Sequence, residues 1–112
     1  MECNPALDRA QLRDITMDDE DLMREVLNAL WDDTSLHVAK LETAVRNHDR
    51  DQCVRLAHYS KGACANVGAS AAAAVLRRIE VDAREAEFDR CEQSLVALGA
   101  ALEELKTEIA AF

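Results

Sequence analysis

Glycine and proline are nearly missing from this chain. It has three glycines and one proline in 112 residues. A glycine-rich phosphate loop cannot be assembled from Gly62, Gly68 and Gly99, and a turn-rich β-sandwich needs more breakers than this. Aromatics are only 4%. No apolar run reaches the roughly 18 residues that a membrane span requires, and the N-terminus lacks the charged-then-apolar pattern of a secretory signal. The expected location is the cytoplasm, with no membrane partner. Basic residues are outnumbered, 13 against 22 acids, for a net charge of −9. That speaks against nucleic acid, whose phosphates require clustered Lys and Arg. The four cysteines, Cys3, Cys53, Cys64 and Cys91, form no CxxC pair and match no zinc spacing. They read as small buried hydrophobes, and no metal site is expected.

What remains is helix-forming material. Alanine (20) and leucine (13) dominate, and both favour helices. The length suits one domain with one modest core. The expectation is an all-α fold over residues 1–112. It is an antiparallel up-and-down four-helix bundle, about 19–112, with a short additional N-terminal helix at about 5–14. Asn4-Pro5 reads as the start of that short helix, and Ile15-Thr16-Met17 as a connector. Acids from Asp18 to Asp21 suit a helix N-terminus. The steps Leu27, Leu30, Thr34, Val38, Leu41, Val45 predict one long helix over 19–47, with a bend near Thr34 or a division into two as the alternatives. A third helix runs from Asp49 or Asp51 to Val67, with Cys53, Ala57, Ser60 and Cys64 inward and Gly68 as its stop. A fourth spans about 70–86. In the last, Phe88, Cys91, Leu95, Leu98, Leu102, Leu105, Ile109 and Phe112 keep an unbroken seam.

Chemistry concentrates in the third helix. His58 stands about 100° around from core-facing Ala57, hence off the seam. Lys61 and Gly62, three and four residues on, share its face. A mid-helix glycine costs about 1 kcal/mol against alanine. At Gly62 it would clear room for a bulky group or a partner to reach the imidazole. Lys61 would offer charge to an anion carried there. From Asp51 to Ile79 the only acid is Asp51, against Arg55, Lys61, Arg77 and Arg78, a basic window in an acidic chain. His37 and His48 read as surface or boundary residues, and Trp31 as a core or capping anchor.

The run His58-Tyr59-Ser60-Lys61-Gly62, then Val67-Gly68-Ala69, then Ile79-Glu80, resembles the signature of the histidine-containing phosphotransfer (HPt) family. Upstream, Leu30-Trp31-Asp32-Asp33-Thr34 is similar to the aromatic-acidic segment that precedes it. The resemblance covers approximately residues 18–105. Ser60 replaces a bulky apolar residue of the family pattern and Ala72 a leucine. Both belong to expected inner faces, where Ser60 could bond back to the Leu56 carbonyl.

The resemblance implies a phosphocarrier with no kinase or ATPase activity of its own. His58 would accept a phosphoryl group from a receiver-domain phospho-aspartate and pass it to another receiver, in two-component signal transduction. Lys61 is then its electrostatic support and Gly62 its steric access. Arg55, Tyr59, Ala65 and Ala69 are candidates for the docking face. The implied partners are response-regulator receivers and a hybrid sensor kinase. The chain holds no cofactor of its own, the receiver brings Mg²⁺, and the carrier is a monomer. One alternative is a helical adaptor that binds a receiver without accepting phosphate. Another is the dimerisation domain of a sensor kinase, although Tyr59-Ser60-Lys61 stands where that class has an acid and then a proline.

Overall fold

The computed structural model describes residues 4–112; Cys3 lies outside them. Five helices follow in order: α1 (Arg9–Thr16), α2 (Glu20–Arg46), α3 (Arg50–Val67), α4 (Ser70–Arg84) and α5 (Phe88–Ala110). Among the described residues there is no strand. Each of α2 to α5 packs on the next, and α5 returns to α2, which closes a four-helix bundle. The connections at 47–49, 68–69 and 85–87 are short, so neighbouring helices run antiparallel. Among the described residues no helix is long and apolar enough to cross a membrane.

Local chemistry sets the boundaries. Asp8, Asp19 and Asp49 are N-caps whose carboxylates accept from the backbone N–H of Gln11, Leu22 and Gln52. Glu20 and Asp21 add charge where the α2 dipole favours it. The long helix is therefore α2, one continuous element through Thr34, which is itself buried. Gly68 ends α3 at φ 99°, and a Cβ there would come 2.8 Å from the Asp8 carbonyl oxygen. Only glycine fits both demands.

The N-terminal expectation needs correction. The short helix begins at Arg9 and includes Ile15 and Thr16; Met17 and Asp18, both at positive φ, make the turn. Pro5 is not in a helix. Its carbonyl accepts the Ala71 N–H at 2.9 Å, and the Asp8 N–H donates to the Gly68 carbonyl at 2.7 Å. This segment thus supplies a partner to the first turn of α4, which has no side-chain cap. Gln11 Nε2 likewise donates to the Ala65 and Asn66 carbonyls at the end of α3. The fourth helix stops at Arg84, short of Ala86, which adopts a left-handed turn.

The core holds Leu12, Leu27, Leu41, Leu76, Ile79, Leu98 and Leu105, all fully buried. Cys53, Cys64 and Cys91 are buried in it as free thiols. Burial pushes the thiols of Cys53 and Cys91 up to about 11. Ser60 and Ala72 face inward, as expected, at 1% exposure each. The expected bond from Ser60 to Leu56 is not formed, and its Oγ has no hydrogen-bond partner among the described residues. On α5 the deepest line is Cys91, Ser94, Leu98, Ala101 and Leu105; Leu95, Leu102 and Ile109 are half-buried beside it. Small residues at 94 and 101 take the innermost positions because α5 packs on two helices, α4 and α2, and its large residues fill the flanks.

Candidate functional site

His58 occupies the middle of α3, next to inward-facing Ala57 and Ser60. Its side chain is 65% exposed. One edge of the ring turns to α4. There Nδ1 lies 3.2 Å from Oε2 and 3.3 Å from Oε1 of Glu80. Glu80 sits on the inner face of α4, next to fully buried Ile79, and its side chain is only 7% exposed.

Three groups converge on that one carboxylate. Lys61 Nζ donates to Oε1 at 2.9 Å, and an Arg84 guanidinium N–H donates to Oε2 at 2.7 Å. His58 is the third. Burial pushes the Glu80 carboxyl up, but the hydrogen bonds from Arg84, Lys61 and His58 outweigh it and hold the group down at about 2. Glu80 is therefore ionised at neutral pH and can only accept. The proton on a neutral His58 ring must then reside on Nδ1, and the Nε2 lone pair is left at the ring edge away from Glu80. A ring with one nitrogen held by a buried anion and a side chain 65% exposed is an arrangement that could act as a nucleophile.

The other residues singled out in the sequence divide. Lys61 is at the site, with its ammonium on Glu80. Gly62 is beside it, and a Cβ there would meet no atom within 4 Å. Nothing within the fold requires glycine at this position. With Ala65, Ala73, Ala74 and Arg77 it lines a shallow depression of about 600 Å³. Arg55 lines a second depression of about 420 Å³ together with His58, Arg50, Val54 and Arg84. Ala65 is exposed. Tyr59 is also exposed, and turns toward α2, where its hydroxyl donates to Asp33 Oδ2 at 2.9 Å. Ala69 must be removed from the docking candidates: it is 0% exposed, because the N-terminal segment is hydrogen-bonded across Gly68 and Ala71 on either side of it.

Several participants were not singled out. Glu80 appeared in the sequence only as part of a pattern; an acid on the inner face of α4, after a basic window, was the available signal. Arg84 stands one helical turn beyond it, the i,i+4 spacing of an ion pair. His37 proves to be a boundary residue with partners: its ring stacks on Tyr59 at 4.3 Å and its Nδ1 lies 2.7 Å from the Asp33 carbonyl oxygen. No sequence signal links Tyr59 of α3 to His37 and Asp33 of α2, or His58 and Lys61 of α3 to Glu80 of α4. Among the described residues no group of three or more His, Cys, Asp or Glu is placed to hold a metal ion.

The family model for the Hpt domain matches residues 25–108. The fold is similar to the crystal structure of histidine-containing phosphotransfer protein B (HptB) from Pseudomonas aeruginosa PAO1, with a TM-score of 0.86 at 23% identity over 98% of this chain and 99% of that one. No curated protein matches the sequence.

Proposed function

Since the chain belongs to the Hpt domain family, whose role is histidine phosphotransfer in phosphorelays, we propose that His58 is the residue that carries the phosphoryl group. The observation that supports this most directly is the pairing of its Nδ1 with buried, ionised Glu80, which leaves Nε2 as the nucleophile. The donor is a phospho-aspartate on a receiver domain, itself charged by a hybrid sensor kinase, and the acceptor is an aspartate on a second receiver. This chain is then a phosphocarrier with no kinase or ATPase activity, acts as a monomer, and works in the cytoplasm.

The chemistry follows from the tautomer. The Nε2 lone pair attacks phosphorus in line, and the bond from phosphorus to the aspartate oxygen breaks. Its electron pair leaves with the carboxylate, and no proton moves. Because Nδ1 keeps its hydrogen, the phosphorylated ring is cationic. Glu80 faces that new charge, so it stabilises the product as well as orienting the reactant. A divalent cation, Mg²⁺, on the receiver neutralises charge on the transferring group. Lys61 offsets the Glu80 charge at its other oxygen and keeps the surroundings of the phosphoryl group from being net negative. Gly62 leaves the approach open, with Arg55, Tyr59 and Ala65 as the partner's nearest contacts.

The test is incubation with a phosphorylated cognate receiver. Wild-type protein should take up an acid-labile, base-stable label, and His58→Gln none. Equal uptake by both would overturn the assignment, and binding without uptake by either would favour the adaptor.

A further inference from the structure

The side chains of His58 and Tyr59 leave α3 in different directions. His58 turns to Glu80 of α4, and Tyr59 turns to Asp33 of α2. The first pairing belongs to the acceptor. The second has no part in the scheme above, although it lies one residue away.

Tyr59 is held on two sides. Its hydroxyl donates to Asp33 Oδ2 at 2.9 Å. One face of its ring lies on the His37 imidazole, with centroids 4.3 Å apart and planes 27° from parallel. His37 is itself fixed. Its Nδ1 lies 2.7 Å from the Asp33 carbonyl oxygen, which only accepts, so Nδ1 carries a proton. Asp33 therefore places both rings, one through its carboxylate and one through its backbone. An exposed side chain ordinarily loses rotamer freedom when a partner orders it; here the fold has already ordered the phenol. With one face on His37 and 49% of the residue exposed, the other face is open to a partner.

Charge identifies what the held ring suits. From Glu25 to Ala39 there are three acids, Glu25, Asp32 and Asp33, and no Lys or Arg. Among the described residues no Lys or Arg pairs with Asp33, whose side chain is 37% exposed. The hydrogen bond to Asp33, and the charge behind it, push the Tyr59 hydroxyl above its ordinary value. The phenol stays protonated, and its oxygen keeps lone pairs to accept with. A phenol face, a phenol oxygen and a carboxylate all attract a cation. Around His58 the sign is opposite, with Arg50, Arg55 and Arg84 lining its depression. A partner bound across α3 must match this order of charge, and the reversed orientation brings like charges together.

We infer that Tyr59, positioned by Asp33 and His37, is the anchor that selects and orients the receiver, and that it takes a Lys or Arg side chain of that receiver against its ring and the Asp33 carboxylate. This rests on the phosphocarrier reading of His58 and goes beyond it by naming the partner's chemistry at a contact outside the phosphoryl site. Asp33 and His37 act through Tyr59 and not on the phosphoryl group.

The experiment compares two donors. Phosphoramidate needs no receiver, so labelling of wild type and not of His58→Gln tests the acceptor alone. A phosphorylated receiver, the one that charges wild type fastest among those of the host, tests the anchor. Tyr59→Phe and Asp33→Asn should each raise KM for it about five- to tenfold, the size of one charge-assisted hydrogen bond, with little change in kcat. His37→Ala should raise KM as well, and His37→Phe, which keeps a ring to stack on, should restore it. One exposed Lys or Arg of the receiver, changed to Ala, should raise KM by a similar factor, and combining that change with Asp33→Asn should add little more. An unaltered KM in Tyr59→Ala and Asp33→Asn overturns the anchor even where phosphoramidate labels His58 normally. So does full additivity with every receiver cation, or a fall in kcat with KM unchanged, as a merely structural role would give. Labelling by phosphoramidate and by no receiver removes the anchor together with the receiver as donor.

Discussion

Glu80 Oε2 lies 3.2 Å from Nδ1 of His58, and it joins a buried helix face to an exposed one. The buried partner sets the protonation of the exposed partner, because an ionised acceptor demands a donor. Replacing the carboxylate by an amide removes that demand. Glu80→Gln should let His58 populate both tautomers, visible in the ring nitrogen shifts. Uptake from phosphoramidate should fall about tenfold, in the range of one lost charge-assisted hydrogen bond. A variant with an unchanged tautomer and unchanged rate would remove Glu80 from the mechanism.

The same carboxylate makes the fold acid-sensitive. Glu80 is held at about 2, below its ordinary 4.5. A depressed carboxyl contributes stability that is complete above the unfolded value and disappears as pH falls through the folded one. The window is therefore pH 4.5 down to 2. The contribution is about 3 kcal/mol for a shift of this size. Urea titrations at pH 7 and pH 2.5 should show wild type losing more stability than Glu80→Gln. Parallel losses would contradict the ion-pair geometry.

The glycine inside α3, Gly62, and the one that caps it, Gly68, should respond in opposite directions. Gly68→Ala forces a side chain into a left-handed backbone and to within 2.8 Å of the Asp8 oxygen. It should destabilise by about 1–3 kcal/mol. Gly62→Ala meets open space and should stabilise α3 by about 0.5–1 kcal/mol. Gly62→Gln should slow transfer from a receiver while leaving phosphoramidate labelling near wild type, because only the large donor is obstructed. Thermal melts and the two donors separate these effects.

Ser60 is the weak point of the interior. Its hydroxyl is buried and has no hydrogen-bond partner among the described residues. Ser60→Ala removes an unsatisfied group of nearly the same volume and should stabilise the protein by about 1–2 kcal/mol in chemical denaturation. A loss of stability would mean that the hydroxyl is satisfied in solution.

The pattern of apolar residues was enough for the bundle. Steps of three and four from Leu27 to Val45 continue past Asp32-Asp33, and α2 does the same. Where periodicity was the wrong guide, a long-range bond had replaced it. Pro5 looked like a helix start, but its carbonyl is taken by Ala71 of α4. Ala69 looked like a small surface residue, but the same segment passes over it. On α5 the seam of large residues is regular, yet the deepest line runs through Ser94 and Ala101, since close approach to two helices favours small side chains.

For the site, a 3.6-residue repeat suffices to bring His58, Lys61 and Gly62 to one face of one helix, and it did so from the order of residues alone. That repeat carries no information about what a neighbouring helix presents. The convergence of Lys61, Arg84 and His58 on Glu80, and of Tyr59 and His37 on Asp33, arises only when α2, α3 and α4 are packed side by side, and distances between helices are a property of packing. The histidine and its same-face neighbours were local; the anion beside its Nδ1 came from the fold.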